Sequence, residues 1–131
     1  MIKLAGCVLR NAAGELLLLH RNTGQITQWE LPGGKVELDE SSETAAIRDV
    51  KEELGISVTI TGRLGEASFT EGEKEWMYEW FSAELAEKDA TPEVIETDTF
   101  DELKYWNIET LLARDDLSAN MQNLIGSGVL R

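Results

Sequence analysis

The 131-residue sequence predicts an α+β domain. Three observations carry this: β-like apolar runs stand before and after one strongly amphipathic helical stretch, the chain closes on two further helical segments, and neither a repeat nor a linker divides it. A single domain over residues 1–131 is therefore expected, long enough to bury one core.

Lys3–Leu9 is a short apolar run, and Glu15–His20 follows after the turn residues Asn11–Gly14, so the two are expected to form a hairpin. Arg21–Gln28 is polar, contains Gly24 and reads as a loop. Trp29–Gly34 leads into the helix: Pro32 keeps Leu31 extended, and Gly33 and Gly34 can adopt φ values closed to other residues, which lets a turn bring backbone groups close to a ligand. Ile56–Ile60 and Leu64–Phe69 read as strand on either side of Gly62. Glu71–Glu75, with Gly72, reads as a hairpin turn. Trp76–Ala83 alternates, with Trp76, Tyr78 and Trp80 on one face and Met77, Glu79 and Phe81 on the other. Ala86–Thr99 is a polar acidic loop, Phe100–Asn107 a strand, and Ile108–Ala113 and Ala119–Ile125 are helical.

The helix between these strands spans Ser42–Leu54. Ala46, Val50 and Leu54 recur at every fourth place, with Ala45 and Ile47 beside them, which suits one buried stripe. Ser41 stands at the N-cap position and Gly55 just past the C-terminus. The other side is anomalous. Asp49, Glu52 and Glu53 share a face, where like charges repel by a few tenths of a kcal/mol per pair. They also crowd the last turns, where the helix dipole favours cations. A bound divalent cation would cancel the repulsion, because hard ions such as Mg²⁺ seek carboxylate oxygens. The alternative is a solvated acidic face with Arg48 pairing to Glu52 at i+4.

Gly34, Glu40, Arg48, Glu52, Glu53 and Gly55 fall in order on the Nudix box, whose pattern is G, five residues, E, seven residues, then R-E-U-x-E-E-x-G-U with U aliphatic. Val50 and Ile56 fill the aliphatic places, and Asp49 alone departs, standing where the pattern has Glu. The chain thus resembles a Nudix hydrolase. The resemblance implies the Nudix fold, a mixed sheet sandwiched between helices, and cleavage of nucleoside diphosphates linked to another group. It assigns Glu52, Glu53 and the Gly33 carbonyl as metal ligands, with Arg48 holding the glutamates and Glu40 as a supporting acid or outer-shell metal ligand. Asp49 takes the place of an acid that is a general base or metal ligand in some members. Others draw a further acid from a late loop, where Glu96 is the first candidate, with Glu93 and Asp98 behind it. Trp29 and Gly34 are the expected substrate contacts, and Phe69, Trp76 and Trp80 further candidate walls.

Trp29–Val36, WELPGGKV, is similar to small members that cleave nucleoside triphosphates to monophosphate and pyrophosphate, which sets the leading expectation. ADP-ribose or a nucleotide sugar is the second substrate class, and a Nudix-fold nucleotide-binding module without turnover is the alternative of a different kind. Mg²⁺ is the expected cofactor, with Mn²⁺ as a substitute. Twelve basic against 25 acidic residues give a net charge of −13, which argues against nucleic-acid polymers and anionic membranes and leaves a small nucleotide carried in with metal ions. The lone Cys7 excludes an internal disulfide and fits a reducing, cytoplasmic setting. A homodimer is left open.

Overall fold

The computed structural model describes residues 1–130 and builds them around two sheets. Strand β1 (Ile2–Leu9), β4 (Gly33–Lys35), β5 (Val58–Glu71) and β6 (Lys74–Leu85) form a mixed sheet in the order β4-β1-β6-β5, in which β1 and β6 run parallel. Strand β2 (Leu16–Asn22), β3 (Thr27–Glu30) and β7 (Phe100–Trp106) form an antiparallel sheet in the order β3-β2-β7. Helix α1 (Ser42–Leu54) covers one side, and α2 (Ile108–Leu112) and α3 (Ala119–Ser127) belong to the other.

Period-two alternation sorts the side chains between these layers. Ala5, Cys7 and Leu9 of β1 and Leu17 and Leu19 of β2 meet Ala46, Val50 and Leu54 of α1. Val8, Leu16 and Leu18 face the opposite way, into a second cluster with Trp80, Trp106, Met121 and Leu124. Leu16–Leu19 are wholly buried because both faces of β2 are covered. Each such leucine contributes about 2 kcal/mol of burial.

The local signals at α1 hold. Ser41 Oγ accepts from Thr44 N–H at 3.1 Å, and Gly55 takes the left-handed φ of 70° while donating to the Lys51 carbonyl. Ile47, expected beside the buried stripe, is instead 36% exposed on the outer face.

Three further expectations are corrected. β1 and β2 do not form a hairpin: they belong to different sheets and touch in strand fashion only at the Arg10–Leu16 bridge. The stretch Arg21–Gln28 is not all loop, since β2 continues to Asn22 and β3 begins at Thr27. Gly33 and Gly34 lie in an edge strand rather than a turn, and neither has positive φ. Val58–Glu71 is one strand with register shifts around Gly62 and Gly65, and it turns at Gly72 into β6 as expected.

Candidate active site

The site is assembled on the free edge of β4. Gly33 pairs with Gly6 while Cys7 N–H donates to the Pro32 carbonyl at 3.0 Å, so Gly33 occupies a non-hydrogen-bonded position whose N–H and C=O both point away from β1. The N–H donates to Glu53 Oε1 at 2.9 Å. The glycines are needed here for close approach and not for unusual φ. A Cβ on Gly34 would lie 2.5 Å from Asp49 Oδ2, and one on Gly33 would strike the Tyr78 hydroxyl and the backbone of β1. The two glycines therefore let α1 press its acids directly onto the strand.

Arg48 organises the loop before the helix. Its Nε and Nη2 grip the two oxygens of Glu40 at 3.0 and 2.8 Å, Nη1 meets Asp49 Oδ1 at 3.0 Å, and Nη2 also donates to the Lys35 carbonyl. The i+4 partner Glu52 is more distant, at 3.6 Å. Glu40 also accepts from Glu37 N–H, so the structure employs it as the anchor of Arg48.

The Arg48 guanidinium, helped by that N–H, holds the Glu40 carboxyl down from 4.5 to about 2. A depressed carboxyl stabilises the fold fully above its unfolded pKa and ceases to do so as pH falls through the folded value. Glu40→Gln should therefore melt below the wild type at pH 6, with the gap closing by pH 2; thermal melts across that range check it.

Asp49 and Glu53 are each only 8% exposed, while Glu52 leans outward into solvent. Burial pushes the Asp49 carboxyl up to about 6 against the pull of Arg48, with Glu52, Glu40 and Glu96 adding to the rise. Burial likewise raises Glu53 well above the ordinary value; the Gly33 N–H opposes this, and Asp49, Glu96 and Glu30 reinforce it. The loop that carries Glu93, Glu96 and Asp98 is fastened by backbone: Glu93 N–H donates to the Leu54 carbonyl and Ile95 N–H to the Glu53 carbonyl, which ties the loop before β7 to the end of α1.

Among the described residues no three acidic, histidine or cysteine side chains are gathered closely enough to form a ligand set unaided. The residues nonetheless fit a divalent cation. Asp49 Oδ2 is buried without a hydrogen-bond partner, and two buried carboxylates stand in each other's field with Glu96 nearby. Such an excess of negative charge suits an ion that shares itself between one or two carboxylates and a substrate's phosphates.

Beside this edge opens a cleft of about 320 Å³ walled by Leu4, Phe69, Trp76, Tyr78, Asn120 and the two glycines. Phe69 and Trp76 stack with centroids 6.3 Å apart, a flat apolar wall. Gly34 and Trp76 border the cleft. Trp29 does not: it is 5% exposed, packed between His20 and Trp106. Trp80 is core as well, its Nε1 donating to Asn120 Oδ1 at 2.8 Å. Tyr78, Asn120 and Glu30, which Arg21 clamps through two hydrogen bonds, border the cleft without having been singled out. The alternation of Trp76, Tyr78 and Trp80 did place Tyr78 on the right face.

The Nudix domain model matches residues 3–125. The chain is 40% identical over 62 residues to a CTP pyrophosphohydrolase of Escherichia coli, covering 46% of this chain and 45% of that protein. It is 40% identical over 68 residues to an 8-oxo-dGTP diphosphatase of Haemophilus influenzae, covering 50% and 49%. The chain thus spans about half the length of these curated relatives or less. The crystal structure of a MutT protein from Methanosarcina mazei Go1 superposes with a TM-score of 0.84 at 28% identity, over 96% of this chain and 91% of that one. With the box seated on the β4 edge and the match running nearly end to end, the chain belongs to the Nudix hydrolase family.

Proposed function

We propose that the protein is a Mg²⁺-dependent pyrophosphohydrolase that converts a nucleoside triphosphate to the monophosphate and pyrophosphate, acting in the cytoplasm. The observation that carries this reading is the pair of buried acids packed on a glycine edge strand that also borders a cleft with a stacked aromatic wall. That arrangement suits a ligand with a flat end and an anionic end. The two curated relatives support triphosphates over ADP-ribose or nucleotide sugars, since CTP and 8-oxo-dGTP are both nucleoside triphosphates.

Glu53, Glu52, Asp49 and the Gly33 carbonyl would hold Mg²⁺, or Mn²⁺ in its place, which when bound supplies Lewis acidity toward the phosphoryl oxygens. Gly33 N–H keeps Glu53 aimed, and Arg48 keeps Asp49 and the Glu40 loop in register with the helix. A carboxylate of the set Asp49, Glu52 and Glu53 takes the proton of the attacking water, with Glu96 as the late-loop acid beside it. Phe69 and Trp76 flank the base, and their apolar wall keeps water from that end of the substrate. No helix among the described residues is long and apolar enough to cross a membrane, and the charge of −13 argues against nucleic-acid polymers while leaving a small nucleotide that comes with metal ions.

Product analysis on a panel of nucleoside triphosphates, ADP-ribose, nucleotide sugars and 5′-triphosphorylated RNA, with Mg²⁺, with Mn²⁺ and with chelator, tests the proposal. Monophosphate and pyrophosphate released from a triphosphate only when metal is present are expected. Cleavage confined to ADP-ribose or a nucleotide sugar would transfer the reading to that class, and no turnover of any member would make the chain a binding module.

A further inference from the structure

Tyr78 carries a buried hydroxyl that has no hydrogen-bond partner in the protein. The parallel pairing of Leu4 with Tyr78 sets the ring on the sheet face away from α1, beneath the cleft. From there the phenol reaches across β1 toward the edge strand. Its hydroxyl fills a notch left by two missing side chains, for a Cβ on either Gly6 or Gly33 would collide with it. Gly33 is the residue whose N–H holds Glu53, so α1 and Tyr78 bear on one backbone unit from opposite sides. Glu53 leads the charges that act on the phenol, ahead of Glu30. A buried hydroxyl left without a partner costs stability, and its retention calls for a partner that comes with the loaded site.

We propose that Tyr78 is a positioning residue for Glu53: in the metal-loaded site the Tyr78 hydroxyl donates to the carboxylate that the Gly33 N–H already seats on the β4 edge, and fixes its orientation. The inference rests on the metal-holding role proposed above for Glu53. Carboxylates that hold metals are commonly oriented by such donors, and losing one typically costs about 10- to 100-fold in metal affinity or activity.

Tyr78→Phe keeps the ring and deletes only the O–H. Mn²⁺ titration of the nucleotide-free protein, followed by electron paramagnetic resonance, gives the metal affinity, and thermal melts without metal give the stability. The variant is expected to melt at or above the wild-type temperature, because the orphaned hydroxyl is gone, and to bind Mn²⁺ about 10- to 100-fold more weakly. Equal Mn²⁺ affinity in the two proteins overturns the inference, including when nucleotide binding alone suffers. A lowered metal-free melting temperature alongside weaker Mn²⁺ binding overturns it too, since the hydroxyl would then be structural. If the wild type binds no Mn²⁺, the metal role of Glu53 falls and takes this inference with it.

Discussion

Glu53→Gln is expected to lose turnover by at least about a hundredfold while the metal-free protein becomes more stable at neutral pH, a loss at or beyond the upper end of what removing an outer partner of a metal site costs. The two effects have one origin. Gln retains an oxygen for the Gly33 N–H, so the contact that seats the side chain on β4 survives. It deletes the charge that burial, Asp49, Glu96 and Glu30 all disfavour. A bound divalent cation would need that charge, and the metal-free fold is better without it.

The pH dependence separates this from an ordinary packing change. The folded carboxyl lies above its unfolded value of 4.5, so below that pH both states are protonated and Glu53 costs nothing. As pH rises, the unfolded chain ionises first and the fold loses stability, until the folded carboxyl ionises as well. The melting-temperature gain of Glu53→Gln should therefore be present at pH 7.5 and absent at pH 4. Near-normal turnover in the variant would sink the metal-holding role, and a gain of equal size at both pH values would sink the electrostatic account.

The region from Gly34 to Ile56 could be read from the chain because its chemistry lies within one helix and the loop before it, where spacing translates directly into geometry. Ser41, Gly55 and the stripe of Ala46, Val50 and Leu54 needed no tertiary knowledge. The β1–β2 hairpin was misread because apolar alternation shows that a strand is buried but not which sheet it joins. Leu16–Leu19, covered on both faces, carries no alternation at all. Trp29 looked like a pocket wall from its place beside Pro32 and the glycines. Its burial depends on Trp106, which β7 delivers from far along the chain. Glu93, Glu96 and Asp98 share a loop that two backbone hydrogen bonds tie to the end of α1, a tertiary contact that no spacing in the chain encodes. Tyr78 acquires its position from a parallel pairing between strands separated by most of the domain, and no local pattern encodes that register.

Gly33→Ala should be among the most damaging single changes in the chain, costing about 1–3 kcal/mol or more and removing activity with it. Its Cβ would fall on the Tyr78 hydroxyl, on the Ala5 carbonyl and within 2.6 Å of the Gly6 Cα. Two of these obstacles are backbone of β1, which β6 pairs along its whole length and cannot release. The edge strand must shift outward instead, carrying away the N–H that holds Glu53. The three atoms nearest a Cβ on Gly34 all belong to the Asp49 carboxylate, a side chain that can yield by loosening its contact with Arg48, so the stability loss of Gly34→Ala should be smaller. Gly126 in α3 has open space and ordinary φ, and Ala there should be neutral or stabilising by about 0.5–1 kcal/mol. Urea denaturation midpoints for the three variants rank these effects. Adding Tyr78→Phe to Gly33→Ala should not restore stability, because the β1 backbone remains in the way; full rescue would mean that the hydroxyl, and not the strand, sets the need for glycine.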